Sequence, residues 1–172
     1  MNKTFKSLIG QQKGNLKIAE QTFSDEIISN KTLYSCAFVE LIFVNCSFDN
    51  INFNASSFAK CEFNDCKFND SILKKGVFES CCFNNCQIID SNLDKIDFDD
   101  IKFNDCQFQN ISLFAGYFTD CQINECDFKD INSNGACAII VDSQISKFNR
   151  SIDLNGDFNF DYLLNFLKSI PE

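Results

Sequence analysis

The chain contains no histidine. A serine or cysteine nucleophile therefore has no imidazole to activate it, and Ser-His or Cys-His catalysis is excluded. Basic charge is also short: 15 Lys and Arg stand against 24 Asp and Glu, a net charge of −9. Nucleic-acid binding draws on basic surface that displaces counterions, so direct DNA or RNA binding is disfavoured. No stretch approaches the roughly 18 apolar residues of a membrane span. The start, Met1-Asn2-Lys3-Thr4-Phe5-Lys6, lacks the uninterrupted apolar segment of a secretory signal. These absences predict a cytoplasmic protein without membrane association.

What is present is a period of five. From Leu33 to Phe128 every fifth residue is Phe, Leu or Ile, 20 positions of 20. Those three types make up about 0.3 of the chain, so chance gives roughly 10⁻¹⁰ for the run. Neither the 3.6 of a helix nor the 2 of a strand produces a strict five. A fixed period means a repeat architecture. Blocks such as Cys61-Glu62-Phe63-Asn64-Asp65 and Cys126-Asp127-Phe128-Lys129-Asp130 share one form: small, polar, large apolar, polar, polar. Two inward residues in five cannot make one long flat strand. The chain must turn a corner every five residues, and Asn, Asp and Ser supply the turn chemistry.

Eleven cysteines are present. Nine of them (Cys36, Cys46, Cys61, Cys66, Cys81, Cys86, Cys106, Cys121, Cys126) stand two residues before a repeat centre. That is a packing position for a small apolar side chain. Their spacings of five and twenty do not match the two to four of zinc sites, and reduced thiols in a cytoplasm are expected. No metal or cofactor is implied. Asp130-Ile131-Asn132-Ser133-Asn134-Gly135 resembles the opening of a calcium loop, but Val141 stands where the twelfth-position Glu belongs, so these residues read as repeat turns. Asp97, Asp99 and Asp100 all occupy outward positions and read as solvated surface rather than paired catalytic carboxylates.

These blocks resemble the pentapeptide-repeat proteins, whose motif is a small residue, any residue, Leu or Phe, then two more. The resemblance covers residues 16–140. It implies an all-β fold, a right-handed quadrilateral β-helix in which four pentapeptides form one square coil of about 20 residues, stacked by sheet-like hydrogen bonds. The small inward positions repeat accordingly at twenty: Cys46, Cys66, Cys86, Cys106 and Cys126 share one face. About six coils are expected. Residues 1–15 form an N-terminal segment without clear repeat, with Phe5, Leu8 and Ile9 available to pack on an end. Residues 141–157 read as a transition loop and 158–172 as a C-terminal capping helix, with Phe160, Leu163, Leu164, Leu167 and Ile170 at helical spacing and Pro171 at its end.

Outward residues separate the walls. The wall centred on Phe38, Phe58, Phe78, Phe98 and Phe118 carries Glu40, Glu79, Asp97, Asp99, Asp100 and Asp120 against Lys60, net −5. Two further walls are each −3, and the wall centred on Leu33, Phe53, Leu73, Leu93 and Leu113 is +3. Asn64, Asn84, Asn104 and Asn124 form an outward column, fit either for an amide ladder or for turn preference alone. Phe114 and Tyr117 mark an apolar corner.

Family members that protect DNA gyrase are acidic rods about as wide as duplex DNA. The resemblance thus implies a non-enzymatic DNA mimic that binds a type II topoisomerase, DNA gyrase or topoisomerase IV, and protects it from inhibitors. It also implies a homodimer joined through the C-terminal helix. A general protein-interaction scaffold with a partner unrelated to DNA is the alternative. No interrupting loop lies between Leu33 and Phe128, unlike many members active against quinolones.

Overall fold

The computed structural model describes residues 4–10 and 15–132, with the backbone of two further strands, Cys137–Ile139 and Phe148–Asn149. The chain winds into a four-walled parallel β-helix of about six coils. Three walls are parallel sheets of seven, six and seven short strands, each strand pairing with the one a coil away. The register is twenty up to Ile139: Phe38 lies opposite Phe58, Phe83 opposite Phe103 and Phe108 opposite Phe128; the last strand shifts by two, pairing Cys126 with Phe148.

The first wall holds Ala37–Val39, Ser57–Ala59, Val77–Glu79, Asp97–Asp99 and Tyr117–Thr119. The second holds Ile42–Val44, Glu62–Asn64, Cys82–Asn84 and Lys102–Asn104, and the third Ser47–Asn52, Lys67–Asn69, Gln87–Ile89 and Gln107–Ser112. The fourth, centred on the leucines, has only isolated bridges at Asn52, Ile72, Asn92 and Ser112. It closes by tight turns instead, with Ser56 N–H donating to Phe53 O at 3.0 Å and Gly116 N–H to Leu113 O at 3.0 Å.

The corners explain the two polar residues that end each block. Every fifth residue from Asn15 to Asp130 has a positive φ, between 47° and 58°. Fourteen of these 24 corners are Asn or Asp, which tolerate the left-handed region better than other side chains. None is Val, Ile or Thr, whose branched Cβ is strained there.

Inside, phenylalanines stack at the strand spacing: Phe58 on Phe78 at 4.5 Å, Phe63 on Phe83 at 4.7 Å and Phe108 on Phe128 at 4.6 Å. Neighbouring walls meet edge to face, as Phe43 does with Phe48 at 79°. Parallel coils therefore give the core two favourable ring geometries at once. Outside, the amide ladder forms: Asn84 donates to Asn64 at 2.7 Å, and Asn104 to Asn84 and Asn124 to Asn104 at 2.8 Å.

The N-terminal end is closed by a helix that the five-residue register does not reveal. α1 (Phe5–Ile9) starts at Thr4, whose Oγ1 accepts from Ser7 N–H at 3.1 Å. Phe5 and Ile9 are fully buried, and the Phe5 ring packs on Phe23, Phe38, Phe43 and Phe48 at 5.1–6.3 Å. Glu26 stands in the column that later holds Cys46, Cys66 and Cys86. Its carboxylate accepts from Phe5 N–H at 2.7 Å and Lys6 N–H at 3.0 Å, satisfying donors that a helix start leaves open. Lys31 Nζ donates to Gly10 O at 3.2 Å at the other end. The helix reading for 158–170 lies outside the described residues.

Candidate functional site

The ten described cysteines are free thiols, and nine of them are buried. They do more than fill space. Cys86 Sγ–H points at Phe63 O at 3.2 Å and Asn84 O at 3.4 Å, while Cys126 Sγ accepts from Cys106 N–H at 3.4 Å. Ser56 and Ser71 play the same part in their columns: Ser56 Oγ donates to Leu33 O at 2.6 Å and accepts from Cys36 N–H at 3.0 Å. A small side chain with one polar atom thus serves backbone groups that the ladder leaves unmade. Burial pushes the Cys121 thiol up to about 12 and also raises Cys36. Cys86, stacked between the Cys106 and Cys66 thiols in the buried column, is held far above the usual thiol range by those neighbours and by burial.

Cys82 is the exception that position alone separates: it faces outward and is half-buried. It lies in a shallow groove of about 260 Å³ with Lys60, Glu62, Ser80, Asp100 and Lys102. Burial raises its thiol, opposed by Asn84. Among the described residues, no three His, Cys, Asp or Glu side chains are placed to hold a metal ion, and no helix is long and apolar enough to cross a membrane.

The six acidic residues of the first wall all face outward, but they do not form one patch. Glu40 sits in the second coil, where Lys60 Nζ reaches its carboxylate at 3.6 Å. Glu79, Asp99, Asp100 and Asp120 are exposed and Asp97 half-buried, all in the later coils. There the strand register stacks Asp97 between Val77 and Tyr117, and Asp99 between Glu79 and Thr119. Ser80 Oγ–H donates to Asp100 at 2.9 Å.

Phe114 and Tyr117 flank the corner Ala115-Gly116, on the fourth and first walls. They are 46% and 51% exposed. Asp94, one coil earlier, sets this corner: its Oδ1 accepts from Phe114 N–H at 3.2 Å and from Ser112 Oγ–H. Gly116 keeps this corner uncrowded: a Cβ would lie 3.2 Å from Leu113 O and 3.4 Å from Ile96, so a neighbour would have to shift by a few tenths of an ångström. Ile27, Tyr34, Ile72 and Val77 are also exposed. Ile27 and Ile72 are each the one apolar residue of their outward columns, whereas Tyr34 shares its column with Phe114 and Val77 with Tyr117. Val39, Ile42 and Val44 are half-buried.

A square coil of five-residue walls with a stacked Phe interior defines a pentapeptide-repeat solenoid. The family model "Pentapeptide repeats (8 copies)" matches residues 42–74, inside the run of five-residue blocks. Among solved structures it is similar to QnrB1, a plasmid-mediated fluoroquinolone resistance protein, with a TM-score of 0.52 at 16% identity over 88% of this chain and 97% of that one. It is also similar to HetL, involved in heterocyst differentiation regulation in the cyanobacterium Nostoc, at 5% identity over 78% and 74% with a TM-score of 0.47. Rfr23 from the cyanobacterium Cyanothece gives 8% identity over 76% and 90% with a TM-score of 0.35. The likeness to QnrB1 is one of fold. No curated protein matches the chain.

Proposed function

We propose that this protein is a non-enzymatic, cytoplasmic DNA mimic that binds a type II topoisomerase, DNA gyrase or topoisomerase IV, and protects it from inhibitors. The observation that carries the reading is the first wall. Its strands place Glu79, Asp97, Asp99, Asp100 and Asp120 in rows at the coil spacing, about 4.8 Å along the axis. A rigid rod with stacked carboxylates offers a groove built for duplex DNA the charge it expects, without the flexibility that an acidic loop would have to lose on binding. QnrB1, with the same fold, is named for fluoroquinolone resistance. The segment with Phe160, Leu163, Leu164, Leu167 and Ile170 belongs to this reading as the join of a homodimer, and residues 141–157 as the connection to it.

The second reading, a scaffold for a partner unrelated to DNA, draws on the exposed Phe114 and Tyr117, since buried aromatic anchors carry most binding energy at protein interfaces. A supercoiling assay with purified gyrase separates the two. The mimic inhibits supercoiling at micromolar protein and, at lower dose, restores it in the presence of a quinolone. Neither effect at micromolar protein leaves the scaffold.

A further inference from the structure

The charge of the rod changes along its axis as well as from wall to wall. Residues 16–75, the first three coils, carry eight carboxylates against six lysines. Residues 76–132, the last three, carry eleven against three, a net of −8. Three coils span about 14 Å at the strand spacing. The later half therefore bears about one net charge per 1.8 Å, against about one per 1.7 Å for duplex DNA. The earlier half, at −2, has about one per 7 Å by the same spacing. The transition is sharpest on the first wall. Its outward rows begin with Lys17, Ala19, Ala37, Val39, Ser57 and Ala59; the one carboxylate at the first corner, Glu20, is balanced by Lys17 in the same coil, and Glu40 is paired with Lys60. From Glu79 onward they are dominated by carboxylates.

A second feature falls on the same coils. Tyr117 stands next to Asp97 in the first-wall register, and Phe114 turns the corner beside it, fixed by Asp94. Carboxylates alone would bind any polycation. Two exposed aromatic rings at the edge of the acidic wall add area that a protein surface can bury and a mobile counterion cannot.

We infer that the docking surface is confined to the first wall of residues 76–132 with the Phe114–Tyr117 corner, and that its occupant is a basic protein groove that otherwise receives duplex DNA. The inference rests on the mimic reading above. The first three coils then act as a support that holds this surface out from the N-terminal plug.

Two experiments on the full chain test it. In the first, decalysine is titrated into the labelled protein and followed by backbone NMR. Amide shifts concentrated in 76–132 on the first wall are expected. Shifts spread equally over both halves, or centred on residues 16–75, overturn the assignment whatever gyrase does. In the second, Asp97→Asn, Asp99→Asn, Asp100→Asn and Asp120→Asn are combined and compared with an early-half set, Glu20→Gln, Glu40→Gln, Glu62→Gln and Asp70→Asn. All eight side chains lie on the surface, and unchanged melting temperatures establish that both variants fold. The later set weakens gyrase binding at least about tenfold and the early set less than about twofold, on the scale of close interfacial charge pairs. Tyr117→Ser weakens gyrase binding and leaves the decalysine titration unchanged. Equal losses from the two sets overturn the surface while the topoisomerase reading stands. Decalysine shifts in the assigned place without any gyrase binding overturn the topoisomerase reading and leave the surface.

Discussion

Phe5→Ala is expected to open the N-terminal end of the solenoid. The Phe5 side chain is fully buried and touches four rings, so its truncation removes the whole transfer term and leaves a cavity beside Phe23 and Phe43. Such changes cost about 3–5 kcal/mol in close-packed cores. A five-residue helix has no stability of its own to resist that loss. Its hydrogen bonds to Glu26 and Lys31 go with it, and the plug detaches as a unit. In a solenoid each coil contacts only its neighbours, so the damage stays local.

Native-state hydrogen exchange reads this directly. The Glu20 and Asp25 amides, bonded to Val39 O and Val44 O at 3.0 Å, report the first coil. The Asp65 and Asp105 amides, bonded to Asn84 O and Asn124 O at 2.9 Å, report the middle and later coils. With 3 kcal/mol or more lost, the first pair exchanges about 10²-fold faster, and the second pair stays within about threefold. Uniform acceleration across all four amides, or none at Glu20 and Asp25, would refute the plug.

Further predictions concern the corners, the glycines and the thiols. Lys75→Gly and Lys95→Gly relieve a Cβ held at φ 57° and 56° and stabilise by about 0.5–1 kcal/mol in chemical denaturation, whereas Asn85→Val destabilises by at least as much. Gly76→Ala places a Cβ 2.8 Å from Leu73 O and costs about 1–3 kcal/mol; Gly116→Ala, at 3.2 Å, costs less, and a reversed order in thermal melts would contradict the packing. Under native conditions a thiol reagent labels Cys82 first, among the described cysteines, and the nine buried ones orders of magnitude more slowly. The Cys121 thiol is raised by burial from 9.0 to about 12, so its contribution to stability is complete below pH 9. Above that the unfolded chain loses a proton that the folded chain keeps, and stability falls by about 1.4 kcal/mol per pH unit for each such thiol up to the folded value. Denaturation midpoints that do not fall between pH 9 and 11 would refute the buried-thiol assignment.

The period of five made the solenoid legible because each block writes out one wall: Phe63 inward, Cys61 beside it, Asp65 at the corner. It did not show why the small residue is so often Cys or Ser rather than Ala. That reason lies in backbone groups such as Cys36 N–H, which the Ser56 hydroxyl satisfies from the next coil. α1 is too short to show a helical period; its traces in the sequence are the apolar Phe5, Leu8 and Ile9 and, at a distance, Glu26, a carboxylate in a column of thiols. The six acidic residues of the first wall were legible as a wall but not as a gradient, because counting by position in the coil merges Glu40 with Asp120. Phe114 and Tyr117 were visible as outward aromatics; the role of Asp94 in fixing them depends on a contact one coil away.

The mimic reading meets its most direct test in displacement of a fluorescent DNA duplex from gyrase by the intact protein, followed by anisotropy at several salt concentrations. The protein is predicted to release the duplex at micromolar concentration, with an apparent affinity that falls steeply as salt rises, since the contact replaces one polyanion by another. A duplex that stays bound while the protein binds gyrase elsewhere, or an affinity indifferent to salt, would contradict it.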